Sequence, residues 1–132
     1  MRIQKISAIT LKIQNMKKEW QFYSQLPGLV LSYGGPDCNF TSFEMKDDSS
    51  NSKTYINLEC TNGFTYNKNF GRIIIYSDNV DELYNFFKKD HNIASLITIK
   101  NEPIDGIWGE RYFHILDPEE YEISFAQSIN KN

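Results

Sequence analysis

Ile9-Thr10-Leu11-Lys12-Ile13-Gln14-Asn15-Met16 and Ile73-Ile74-Ile75-Tyr76-Ser77-Asp78-Asn79-Val80 decide the fold of this 132-residue chain, because a shift of 64 positions lays one over the other. Under the same shift Trp20 meets Tyr84, Phe22 meets Phe86 and Tyr23 meets Phe87. Each copy reads as an alternating strand, an Asn and then an amphipathic helix. Ile9, Leu11 and Ile13 share one face at period two, as a half-buried strand requires. Met16, Trp20 and Tyr23, and likewise Val80, Leu83, Tyr84 and Phe87, recur at helical spacing. Asn15 and Asn79 stand where an N-cap belongs, since a short side-chain carbonyl accepts an orphan amide of the first turn. Helix one is expected to stop by Pro27-Gly28, and helix two near Asp90 to Asn92.

Outward from each helix come three strand-like segments: Leu29–Tyr33, Asn39–Met45 and Tyr55–Cys60 in the first half, and Ser95–Lys100, Glu110–Leu116 and Tyr121–Gln127 in the second. Polar residues 46–52 join a hairpin centred near Ser49, and Asp117-Pro118-Glu119-Glu120 makes a tight turn. The order is therefore βαβββ, twice. The pattern predicts an α+β fold of tandem βαβββ modules, about 3–60 and 70–127, with a linker over 61–69, forming one domain over residues 1–132. Two curved mixed sheets would carry their helices on the outer faces and enclose a cleft. Strand phase sends Ile56, Leu58, Ile123 and Phe125 toward the helices. It sends Ala8, Thr10, Lys12, Asn57, Glu59, Arg72, Ile74, Tyr76, Glu122, Ser124 and Ala126 to the other faces.

Composition narrows the function classes. The net charge is −3 with no basic run, so nucleic-acid binding is disfavoured, because phosphate neutralisation needs clustered Lys and Arg. No apolar run approaches membrane-spanning length and the N-terminal residues lack a signal-peptide pattern, so a cytoplasmic protein without membrane partners is expected. Cys38 and Cys60 have neither a disulfide-framework nor a metal spacing and read as free thiols. Eight Tyr and nine Phe exceed what packing a small sheet domain asks for, and the surplus is expected to line a cleft. No Gly-x-Ser-x-Gly elbow, Cys–His pair or phosphate-cradling loop is present.

The duplication, together with Trp108-Gly109-Glu110-Arg111-Tyr112-Phe113-His114-Ile115-Leu116-Asp117-Pro118 and Tyr121-Glu122-Ile123-Ser124-Phe125, resembles the vicinal-oxygen-chelate superfamily of glyoxalases, bleomycin-resistance proteins and extradiol dioxygenases. The resemblance spans Ile6 to Gln127. It implies metal ligands on the first and last strands of each copy, positions held here by Ala8, Asn57, Arg72 and Ser124. Ala8 has no donor, Arg72 is a permanent cation, and Asn57 and Ser124 are weak neutral oxygens, so no metal and no cofactor are expected. The metal-free bleomycin-resistance type is the nearest in character. It implies binding of a small molecule in the cleft, for sequestration or resistance. The alternative is a glyoxalase-like lyase or isomerase, or a dioxygenase-related enzyme, with an altered site. The resemblance also implies a homodimer.

Candidate ligand-binding residues are Arg72, Asn57, Glu59, Tyr76, Trp108, Tyr112, His114 and Ser124, for a ligand of acidic or aromatic character. Arg72 reads either as a two-point clamp for an acidic group or as the ion-pair partner of Glu59 or Glu122. His114 and Glu122 are the candidate catalytic bases, with a structural hydrogen-bonding role as the alternative for His114. Trp108 reads as an aromatic wall or as a cap over the sheet end. His91 is expected to face the C-terminal dipole of helix two.

Overall fold

The computed structural model describes residues 1–2, 4–47, 50–61 and 71–129. The expected hairpin centre at Ser49 and the expected linker 61–69, apart from Thr61, lie outside them. The chain divides into two compact units, Met1–Tyr66 and Asn67–Asn132.

In the first unit, β1 (Ala8–Ile13) leads into α1 (Met16–Tyr23), followed by β2 (Val30–Tyr33), β3 (Phe40–Lys46) and β4 (Lys53–Cys60). The sheet order is β1-β4-β3-β2, with β1 parallel to β4 and the other pairs antiparallel. Asn15 caps α1, its Oδ1 accepting from the Lys18 amide at 3.1 Å. Leu11, Ile13, Phe22, Tyr23, Phe43, Ile56 and Leu58 are buried, as period-two and helical spacing require.

The second unit repeats the plan. β5 (Ile73–Tyr76) leads into α2 (Val80–Lys89), then a helical turn α3 (His91–Ala94), β6 (Thr98–Ile99), β7 (Ile104–Asp105), β8 (Glu110–Leu116) and β9 (Glu122–Ser128). Its order, β5-β9-β8-β6, again sets the first strand parallel beside the last, and β7 pairs with β8 further along. Asn79 caps α2 by accepting from the Glu82 amide at 3.0 Å. Phe87 from α2 meets Phe113 and Phe125 edge-on, with ring centroids 5.9 and 5.4 Å away, and all three are buried. Both sheets are mixed and both units follow the βαβββ plan, with α3 and β7 added in the second, so the fold class read from the sequence is the observed one.

Two local expectations are corrected, and one element is added. Ser95–Lys100 is not a full strand: only Thr98–Ile99 pairs, because Asp90 caps a new helical turn through the Asn92 amide at 3.0 Å and Ile93 buries itself there. His91 therefore opens α3 rather than ending α2, and the dipole role expected of it does not apply. Ile104–Asp105 adds a short strand that no periodic run announced. No described helix is long and apolar enough to cross a membrane.

Candidate functional site

The second sheet has one face closed by α2 and one face open. Alternation along β8 sends Phe113 and Ile115 into the core and leaves Glu110, Tyr112, His114 and Leu116 on the other side. The ladder then builds rows across that side. His114 pairs with Ser124 and Ser124 with Ile74, while Tyr112 pairs with Ala126 and Ala126 with Tyr76. Ile104 joins the second row from β7. Lys100 joins the first, its amide donating to the His114 carbonyl at 2.9 Å. Ile74, Tyr76, Ile104 and Trp108 are all exposed, an unusual load of large side chains for an open face.

Aromatic rings run in series over this face. The Trp108 and Tyr112 centroids lie 5.2 Å apart with planes tilted by 31°, and Tyr112 and His114 lie 4.9 Å apart. At the Trp108 end, Glu110 accepts from the Trp108 indole at 2.9 Å and from the Tyr76 hydroxyl. At the other end, Arg72 Nε donates to Glu122 Oε2 at 2.5 Å and Lys100 Nζ donates to Glu122 Oε1 at 3.2 Å. Two cations thus share one carboxylate, leaving that end net positive.

These charges set the local acid–base behaviour. Burial alone would push the Glu122 carboxyl up, but the hydrogen bonds and charges of Arg72 and Lys100 prevail and hold it below its ordinary range. His114 is held below its usual value by burial first and by the Arg72 charge second, so the imidazole is neutral at pH 7. Its Nδ1 is hydrogen-bonded to Ser124 Oγ. The pair is half-buried, with Ser124 only 3% exposed.

Arg72, Tyr76, Trp108, Tyr112, His114, Glu122 and Ser124 are thus brought onto one sheet face, where Lys100 and Glu110 join them. Lys100 was hidden from sequence reasoning because its approach to Glu122 depends on a register three strands wide. Glu110 shares the alternation of Tyr112, a signal that was available. Asn57 and Glu59 belong to the first unit, where each is tied to the neighbouring strand: Asn57 Nδ2 donates to Thr10 Oγ1 at 3.2 Å, and Glu59 pairs with Lys12 at 3.5 Å.

The four positions that the resemblance assigns to metal ligands do not fit a divalent cation. Ala8 has no donor, the Arg72 guanidinium is itself cationic and salt-bridged, and the Asn57 amide and Ser124 hydroxyl are neutral and already hydrogen-bonded. Among the described residues no three His, Cys, Asp or Glu side chains come together as a ligand set.

Residues 5–125 match the profile of the family described as Glyoxalase/Bleomycin resistance protein/Dioxygenase superfamily. Among solved structures, the chain is similar to TnmS3, an antibiotic binding protein from Streptomyces sp. CB03234 (TM-score 0.70, 16% identity, 97% of this chain and 98% of that one). It is also similar to TioX from Micromonospora sp. ML1 (TM-score 0.64, 16% identity, 95% and 99%). A third likeness is to a glyoxalase-related enzyme from Fulvimarina pelagi (TM-score 0.67, 12% identity, 94% and 88%). No curated protein sequence matches significantly.

Proposed function

This chain belongs to the Glyoxalase/Bleomycin resistance protein/Dioxygenase superfamily, and on that premise we propose that it binds a small planar organic acid without a metal. The observation that carries this reading is the exposed Trp108–Tyr112–His114 series ending at the cationic pair Arg72 and Lys100. Aromatic plates take the flat part of a ligand, and an arginine fork takes its acidic group. Arg72 spends Nε on Glu122, and among the described residues nothing else engages its terminal nitrogens. The donor chemistry at Ala8, Asn57, Arg72 and Ser124 supports metal independence. Similarity to TnmS3 supports a use in sequestration or resistance. Two free thiols, Cys38 and Cys60, suit the expected cytoplasmic setting.

Calorimetric titration with 2-naphthoate in the presence of a chelator tests the proposal. Saturable binding, unchanged by added Ni or Zn, is expected. Binding that appears only with a divalent ion would remove the metal-independent part. Failure of every planar acid tried would remove the ligand class.

An enzymatic alternative rests on one specific observation. Burial and the Arg72 charge favour the neutral form of His114, and in the tautomer whose Nδ1–H donates to Ser124 Oγ the Nε2 lone pair, unengaged among the described residues, can act as a general base. Glu122, doubly hydrogen-bonded and held below its ordinary range, is the weaker base of the two. Deuterium exchange at the acidic carbon of bound carbonyl compounds in D2O, present in the native protein and lost in His114→Ala, would support this reading over plain binding.

A homodimer is part of the proposal. The outer strand Val30–Tyr33 of the first sheet is exposed along its whole length, and unpaired edges invite association. Sedimentation at micromolar concentration is expected to give a dimer, and a strict monomer would remove it.

A further inference from the structure

Ile107 and Trp108 are consecutive residues of one turn, yet only one of them is anchored. Ile107 stands fully free in solvent, at 103% relative exposure. Trp108, itself 61% exposed, is held from three sides. Its indole N–H donates to Glu110 Oε1 at 2.9 Å, its ring lies against Tyr112, and its far edge folds back over Gly106. A Cβ on Gly106 would sit 2.6 Å from Trp108 Cζ2 and 2.7 Å from Cη2, closer than real side chains come. Gly106 is therefore needed for the space it leaves. The turn itself is closed by the Gly109 amide on the Gly106 carbonyl at 3.2 Å and the Gly106 amide on the Glu110 carbonyl at 2.7 Å. Gly109 supplies the left-handed backbone the turn needs, at φ 96°.

The second oxygen of Glu110 accepts from the Tyr76 hydroxyl, which comes from the far edge of the sheet. One carboxylate thus ties together two exposed aromatic side chains, one from the turn before β8 and one from the edge strand β5. An exposed indole can hydrogen-bond water equally well, and freezing it costs rotamer entropy, so the tie does little for folding. It does fix the orientation of a surface before anything lands on it, which lowers the ordering cost of binding.

We infer that Glu110 is a positioning residue that, over the floor provided by Gly106, presents Trp108 and Tyr76 as a preformed aromatic wall. The wall serves the ligand reading above, but its first test does not depend on that reading.

The test is 19F NMR of the full chain labelled with 5-fluorotryptophan, whose two signals, Trp20 and Trp108, are assigned with Trp108→Phe. Glu110→Leu, which removes both acceptors, is expected to shift and broaden the Trp108 signal while the Trp20 signal stays in place as a control for the fold. Glu110→Gln can still accept from the indole and can donate to the Tyr76 oxygen, so it should restore most of the native signal. Gly106→Ala should displace the Trp108 signal with the carboxylate intact. Binding of 2-naphthoate is expected to weaken about fivefold in Glu110→Leu, the size of one net hydrogen bond, and to recover in Glu110→Gln. An unchanged Trp108 signal in Glu110→Leu overturns the inference, and so does a Gln variant that behaves like Leu. If 2-naphthoate fails to bind even the native protein, the ligand reading falls, and the fluorine signals still decide the role of Glu110.

Discussion

Arg72 Nε donates to Glu122 Oε2 at 2.5 Å across the parallel pair of β5 and β9, so the arginine is both a structural partner and the outward cation of the candidate site. Its side chain remains 49% exposed and that of Glu122 20% exposed, and such a half-solvated pair contributes no more than about 1 kcal/mol to stability. Arg72→Met should therefore leave the urea midpoint nearly unchanged. Affinity for 2-naphthoate should fall about tenfold or more, as loss of a hydrogen bond to a charged group implies, with Arg72→Lys in between because it keeps the charge and loses the fork. A variant with a markedly lower urea midpoint whose folded fraction binds as tightly as the native chain would make Arg72 a structural residue only.

His114 should titrate below the ordinary imidazole range in NMR spectra of its ring protons. Burial disfavours the imidazolium, and the Arg72 charge adds to it. In Arg72→Met the His114 midpoint should rise, because the repelling cation is gone and the Glu122 carboxylate is no longer offset. A midpoint unmoved by that substitution would assign the depression to burial and the remaining Lys100 charge.

The depressed Glu122 carboxyl gives stability a defined pH dependence. Its pKa is lower folded than unfolded, so its contribution is present above the ordinary carboxylate range and is lost as pH falls through the folded value. Urea midpoints followed from pH 7 toward pH 3 should drop more steeply for the native chain than for Glu122→Gln. Parallel curves would mean that the pair with Arg72 and Lys100 contributes nothing in solution.

Phe113 is 0% exposed, with ring centroids 5.4 Å from Tyr84, 5.9 Å from Phe87 and 5.5 Å from Phe125. Phe113→Ala should cost about 3–5 kcal/mol, since little can collapse into the hole. Against a total stability of about 5–15 kcal/mol this is severe, and chemical denaturation monitored by circular dichroism should show it directly. The adjacent Tyr112, half-buried on the open face, should cost far less when replaced by Ala.

Much of this fold was legible because its signals are local. β8 runs over Glu110–Leu116 as alternation predicts, and Asn15 and Asn79 cap the helices they precede. Legibility failed where a short-range capping contact competed with the strand pattern, as Asp90 does ahead of Thr98–Ile99. At the site, strand phase was enough to put Tyr76, Tyr112, His114 and Ser124 on one face. It left open whether Arg72 would meet Glu59 or Glu122, because that depends on which strands become neighbours, and the structure selects Glu122. Lys100 and the Tyr76 donor to Glu110 lay beyond reach for the same reason: their partners converge only through the folded ladder.

The parallel pairing that opens and closes each unit has a consequence for the order in which the chain acquires structure. In the second unit Ile73 is registered with Ile123, whereas Leu116 and Glu122 meet across a tight turn. Closing a long loop costs more chain entropy than closing a short one, and slow steps in folding track such distant pairings. During synthesis, β5 must wait for almost the whole of its unit to emerge before its neighbour exists. Until then Ile73 and Ile75 sit on a strand without a sheet, and the first unit has meanwhile had all four of its own strands available. Vectorial synthesis therefore completes the first half before the second, and within each half the opening strand is exposed to misassociation until the closing strand emerges.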